Sequence, residues 1–227
     1  GFAMRRLAGA PDAGQSVEAW ARRGRYDALA AMARGAGAEL VLLAQHQRDQ
    51  AETFLLQALR GGGPAGLAAM PSLAQRDGII WARPWLTQTA CTIDAYVRRH
   101  RIRFVDDPSN ADPRFARSRL RHAVMPALRA AFPEAEAALA GAALRCGQAQ
   151  ALLDEVARAD LESLVDGTAL RVVPWRGLSP ARQRNVLRAW LRDRLGRGAP
   201  QNLVERLLDE LPSTGPAQWP CETGTLR

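Results

Sequence analysis

The chain contains no lysine: all 31 of its basic residues are arginine. Set against 23 acidic residues they leave a net charge of +8 and an isoelectric point near 10.9, which favours a polyanionic partner, nucleic acid or nucleotide. Arginine used to the exclusion of lysine, beside abundant alanine, also reads as genome composition, so the charge alone supports RNA binding only weakly. Cysteine is scarce. Cys91, Cys146 and Cys221 are far apart with no C-x-x-C pair, which excludes a zinc site or disulfide framework built on cysteine spacing and fits a reducing compartment. No apolar run approaches ~20 residues, and the start Gly1-Phe2-Ala3-Met4-Arg5-Arg6 is basic without an apolar stretch behind it. A membrane span and a signal peptide are therefore not expected, and a cytoplasmic location is. The glycine run at 61–63 is not followed by Lys-Ser/Thr, which excludes a Walker A loop.

What is present centres on residues 39–63. Residues 40–43 are an unbroken apolar run, as for a strand buried on both faces of a parallel sheet. From Asp49 the period changes, with Ala51, Phe54, Leu55, Ala58 and Leu59 on one helical face. His46, Asp49, Gln50 and Glu52 thus fall at a strand-to-helix turn, where open α/β sheets bind ligands. Asp49 with Glu52 three residues on also reads as a capping box, Asp49 as N-cap and Glu52 at N3. On spacing alone the cap outweighs catalysis by roughly two to one. The Gly61-Gly62-Gly63-Pro64 stretch is either a phosphate-cradling loop or a helix end followed by a turn.

Ser16 can cap a helix that runs to about residue 32, ended by Gly35 and Gly37; on it Glu18 and Arg22 form an i,i+4 pair. Residues 78–86 read as a short strand stopped by proline, 89–100 as a helix, and 102–105 as a short buried extended piece. A turn-rich cluster with Asp106 and Asp107 follows. In the next helix Arg117 and Arg121 project from one face, suited either to gripping phosphate or carboxylate or to a solvated face paired with Asp106 and Asp107. Beyond Phe132-Pro133 the composition turns alanine-rich and helical, with helices expected near 135–159, 182–195 and 203–211, and a lone strand or extended crossing at 168–174. The expected division is an α/β domain over 1–133 and a mostly helical domain over 134–227. Trp175 and Trp190 are expected in its core, and 215–227 as a poorly ordered end.

Three stretches carry a resemblance. Ala44-Gln45-His46-Gln47-Arg48-Asp49-Gln50-Ala51-Glu52-Thr53, followed by Leu59-Arg60-Gly61-Gly62-Gly63, resembles the second signature of the tRNA(Ile)-lysidine synthetases of the PP-loop ATP pyrophosphatase superfamily. There an Asp-Asp pair follows the His, and here Arg48 replaces the first Asp. Gly14-Gln15-Ser16-Val17-Glu18-Ala19-Trp20-Ala21-Arg22-Arg23-Gly24-Arg25-Tyr26 resembles the family's G-x-S-x-E-x-x-A-R-x-x-R-Y segment. Phe104-Val105-Asp106-Asp107-Pro108-Ser109-Asn110, with Arg117-Ser118-Arg119-Leu120-Arg121, resembles F-V-E-D-x-S-N and R-N-x-x-R, with Asp106 for Glu and Ser118 for Asn. Ile79 to Leu86 is similar to its I-x-R-P-L-L segment.

The resemblance implies a parallel-sheet PP-loop domain of the adenine nucleotide α-hydrolase type, followed by a mostly helical tRNA-recognition domain. It implies that ATP and Mg²⁺ adenylate C2 of the wobble cytidine in a CAU-anticodon tRNA(Ile), and that free lysine then displaces AMP to give lysidine. On that scheme Asp49, Glu52, Arg117 and Arg121 are catalytic, with Asp49 and Glu52 holding Mg²⁺ or orienting lysine. Glu18, Arg22, Arg25, His46, Gly61, Gly62, Asp106 and Asp107 bind substrate or nucleotide. The family's S-G-G-x-D-S loop is not among these residues, so the α/β domain is expected to be N-terminally incomplete and the chain alone inactive. Oligomeric state is open, a homodimer included. The alternatives are another PP-loop tRNA-modifying enzyme such as a thiolase, disfavoured by the cysteine placement, or a non-catalytic basic RNA-binding module.

Overall fold

The computed structural model describes residues 2–12, 14, 16–105, 108–196, 198–211, 219–221 and 224–226. Two compact units are present, Gly1–Gly147 and Gln148–Arg227. No helix among the described residues is long and apolar enough to cross a membrane.

The first unit begins with α1, Val17–Gly35, capped as its sequence requires: the Ser16 hydroxyl accepts the Ala19 N–H at 3.4 Å. Past its end the chain reaches β1, Leu40–Leu42, then α2, Gln47–Ala58, and the single-turn α3, Pro64–Leu67. A hairpin of β2, Leu73–Arg76, and β3, Ile79–Ala82, completes a small sheet of order β1-β3-β2. β1 pairs with β3 in parallel, Leu40 opposite Ile80 and Leu42 opposite Ala82, and β2 pairs with β3 antiparallel. The hairpin turn is Asp77-Gly78, both at positive φ (54° and 77°), the left-handed pair that a two-residue type I′ turn demands.

One face of this sheet forms a core. Ile79 and Trp81 are buried against Ala30 and Ala33 of α1, with Tyr26, Leu29, Val41 and Leu43 packed around them. The other face stays open, and here the expectation of a strand buried on both faces fails. Leu40 is 50% and Leu42 65% exposed, since side chains alternate along β1 and only the α1 side is covered. The sheet is therefore mixed, with one parallel pair.

Helix α4, Ala90–Arg99, falls within the helix expected over 89–100, with Thr89 as its N-cap and His100 as its C-cap. Residues 102–105 depart from expectation. They form no strand, and Phe104 and Val105 are 77% and 92% exposed, because no described strand edge receives them. A 3₁₀ turn, Pro108–Ala111, leads to α5, Ala116–Arg119, a π-helical turn, Leu120–Val124, and α6, Met125–Ala131. The π turn lies directly before Pro126, which cannot supply the N–H that would continue α-helical bonding there.

Helix α7, Ala135–Leu164, is followed by the two-residue strands β4, Val165–Asp166, and β5, Ala169–Leu170, and by α8, Val172–Arg176. Residues 168–174 are thus not one extended crossing. Two hydrogen-bonded strand residues give way to a helix that tolerates Pro174 in its first turn, where its missing N–H costs nothing. Helices α9, Pro180–Leu195, and α10, Gln201–Glu210, complete the second unit's core. Leu164, Trp175, Val186, Leu187, Leu191, Leu203, Val204 and Leu207 are buried together. Trp175 lies inside, its indole N–H donating to the Gln183 carbonyl at 3.1 Å, and Trp190 packs at the core's edge, as expected for core tryptophans. Within the end expected to be unordered, β6, Trp219–Cys221, pairs antiparallel with β7, Gly224–Leu226.

Past α2, Gly62 is half-buried and lies against Gln57. A Cβ there would stand 2.8 Å from the carbonyl oxygen of Gln57, which already accepts the Gly62 N–H. Gly62→Ala is therefore expected to cost about 1–3 kcal/mol, to be read as a lowered midpoint in urea denaturation of this chain.

Candidate active site

The turn between β1 and α2 sets the site. His46 is the N-cap of α2, and Asp49, at N3, accepts the His46 backbone N–H at Oδ2, 3.0 Å. The capping box is therefore built three residues earlier than expected: Asp49 is its N3 member, not its N-cap. This places Glu52 inside the helix, on the same face as Asp49 and fully buried. Leu59, expected on the buried stripe, is the exposed C-cap.

A buried carboxylate must be paired, and Glu52 is. Arg121, on the π turn, grips it bidentately, Nε to Oε1 at 2.7 Å and Nη2 to Oε2 at 2.9 Å. Arg117, one turn earlier, donates to the Thr53 hydroxyl at 2.9 Å and lies 3.7 Å from Glu52 Oε2. Asp49 is less committed, since its Oδ1 stands 3.6 Å from Arg121 and 3.8 Å from Arg117. The hydrogen bonds it donates to Glu52, followed by the charges of Glu52 and Asp49, raise the Arg121 pKa above the usual guanidinium value. The two arginines thus face the α2 carboxylates; Asp106 and Asp107, their alternative partners, lie outside the described residues.

Neighbouring polar contacts hold this turn to the sheet. Gln50 is buried and its amide bonds both ways to Met70, accepting N–H and donating to the carbonyl at 2.9 Å each. Arg83, buried at the end of β3, donates to Gln45 Oε1 (3.1 Å), the Pro71 carbonyl (2.9 Å) and the Tyr26 hydroxyl (3.1 Å). Ser118, also buried, donates to the Asn110 carbonyl at 3.0 Å, and His122 Nδ1–H donates to the Ser118 carbonyl at 2.9 Å. Sequence reasoning placed Gln50 at this turn but missed Thr53 and Arg83 as contact residues. For Arg83 a signal existed, a cation ending an apolar strand directly before proline.

Of the other predicted residues, His46 joins the cluster, its buried Nδ1 3.6 Å from Asp49 Oδ2. Arg22 is exposed and stacks 5.4 Å above the Tyr26 ring. Among the described residues no hydrogen bond or ion pair joins Glu18, Arg22 or Arg25 to Asp49 or Glu52. Gly61 and Gly62 stand beyond the opposite end of α2, whose 12 residues span roughly 18 Å. As a magnesium site Asp49 and Glu52 do not fit: both Glu52 oxygens are taken by Arg121 and one Asp49 oxygen by a backbone N–H. No group of three or more His, Cys, Asp or Glu side chains gathers as for a metal ion among the described residues. No metal step is derived from them.

A parallel strand pair, a strand-to-helix turn carrying acidic side chains, and arginines brought onto that turn define an α/β domain whose site lies beyond the carboxyl ends of its strands. The chain belongs to the PP-loop domain family, which matches residues 3–128. Residues 170–227 match the TilS substrate binding domain. Among similar proteins, the tRNA(Ile)-lysidine synthase of Ralstonia nicotianae is 44% identical over 190 residues, 84% of this chain and 41% of that protein. That of Bordetella parapertussis is 44% identical over 188 residues, 80% and 55%, and that of Xanthomonas campestris pv. campestris strain 8004 is 42% identical over 214 residues, 93% and 48%. The chain spans about half the length of these relatives.

Proposed function

We propose that the protein to which this chain belongs is a lysidine-forming ligase: it uses ATP to adenylate the C2 carbonyl oxygen of the wobble cytidine of CAU-anticodon tRNA(Ile), releasing pyrophosphate, and the amino group of lysine then attacks C2 and displaces AMP with that oxygen. The observation that carries this reading is the packing of Asp49 and Glu52 against Arg117 and Arg121 at the β1–α2 turn, in a chain whose relatives are named for that product. The two carboxylates have different work. Glu52, buried and doubly bonded, positions Arg121. Asp49, whose Oδ1 lies no closer than 3.6 Å to either arginine, meets the ammonium of lysine, orients it and takes up its proton as the amine is released for attack. Arg117 and Arg121 then stabilise negative charge on the departing phosphate.

His46, at the helix N-terminus, and Glu18, Arg22 and Arg25 of α1 serve the nucleotide side, with Gly61, Gly62, Asp106 and Asp107 as further contacts. Residues 1–133 carry the nucleotide chemistry and 134–227 read the tRNA. The deciding experiment is incorporation of labelled lysine into a CAU-anticodon tRNA by the full-length protein. ATP-dependent incorporation is the expected result, and none, with folded protein and intact tRNA, would overturn the reading.

A further inference from the structure

Glu136 lies outside every stretch that marked the site in the sequence. It sits in the first turn of α7, where the helix dipole favours an anion, and it is mostly buried. Its Oε1 accepts from Arg48 Nε at 3.3 Å and lies 3.0 Å from Arg129 Nε. Its field also reaches the α2 site. The Arg121 pKa is raised first by the Glu52 hydrogen bond and then by the charges of Glu52, Asp49 and Glu136. Three carboxylates, Asp49, Glu52 and Glu136, thus share one neighbourhood with four guanidiniums, those of Arg48, Arg117, Arg121 and Arg129.

Arg48 is poorly placed for its own helix. It is the second residue of α2, at the positive end of the dipole, and at i,i+4 from Glu52 it shares that residue's face. Released from Glu136, it has Glu52 on its own face of α2, and the Asp49 carboxylate lies in the same cluster of charges. We propose that Glu136 is a positioning residue: by holding Arg48 and Arg129 it keeps further cations off the Asp49 carboxylate, which then meets a cationic substrate group, the ammonium of lysine in the reading above, on which this inference rests. Neutralising Glu136 adds one uncompensated positive charge to the neighbourhood and frees Arg48 to compete with that ammonium.

The test is steady-state lysine incorporation by the full-length protein as wild type, Glu136→Gln and Arg48→Gln/Glu136→Gln, with folding checked by thermal denaturation. Glu136→Gln is expected to raise the KM for lysine about tenfold while leaving the KM for ATP within about twofold. The double variant, which removes the competing cation, returns the lysine KM to within about threefold of wild type. A merely structural role would lower kcat and Tm together and would not be relieved by deleting the second partner. If Glu136→Gln does not fold, Glu136→Asp, which keeps the charge but shortens the reach, is measured in the same way. An unchanged lysine KM in the single variant, or a double variant no better than the single one, overturns the inference while leaving the parent function standing. A wild type that incorporates no lysine overturns both.

Discussion

Replacing Glu52 by Gln is expected to cost about 3–5 kcal/mol of stability, because it leaves the largely buried Arg121 guanidinium without its counter-charge. Glu52 is 0% exposed and takes two short hydrogen bonds from Arg121. Glutamine can keep one of them, but its NH₂ then faces the other guanidinium donor, so one pairing becomes donor against donor. Asp49 offers little relief, since its nearer oxygen is 3.6 Å from Arg121. At roughly 2–4 °C per kcal/mol the melting temperature should fall by about 10 °C. Thermal unfolding of this chain followed by circular dichroism reads the effect directly. A shift under about 2 °C would mean that the pair does not hold α2 to the π turn. Changing both partners, Glu52→Gln with Arg121→Met, should recover part of the loss, because no unpaired charge is then enclosed.

Asp49→Asn should behave in the opposite way, with a small change in stability and a large one in activity. The asparagine carbonyl can still accept the His46 N–H, so the N-terminal cap of α2 survives. What is lost is the negative charge proposed to meet the lysine ammonium, and a fall in lysine incorporation of about 10²-fold or more is expected. The measurement is turnover by the full-length protein beside its melting temperature. Near-normal turnover with an unchanged melting temperature would reduce Asp49 to a cap.

These two substitutions also separate what was legible in the sequence from what was not. Asp49 was visible as both a capping and a chemical residue, since a capping box is a local pattern of residues three apart; only its register was misread. The Asp77-Gly78 hairpin was equally visible and was overlooked. The role of Glu52 was hidden. A glutamate on the second turn of a half-apolar helix reads as exposed until its partner is known, and that partner lies 69 residues away. Glu136 is more distant still, 88 residues from Arg48, and no spacing rule connects the two.

Features set by the sequence alone were those that act within one or two turns of chain: the Ser16 and Thr89 caps, the helical stretches, the strand stopped by Pro84, and the motifs that mark a PP-loop domain. Their energetics depend on neighbours at i+3 and i+4 or on the fixed φ of proline, so the local string contains the whole cause. Tertiary structure alone decided which face of β1 is covered, that residues 102–105 stay exposed, and that Arg117 and Arg121 turn to the carboxylates of α2. Burial and ion pairing depend on which surfaces the fold brings together. A guanidinium can satisfy any carboxylate within reach, and only the packed chain determines which one that is.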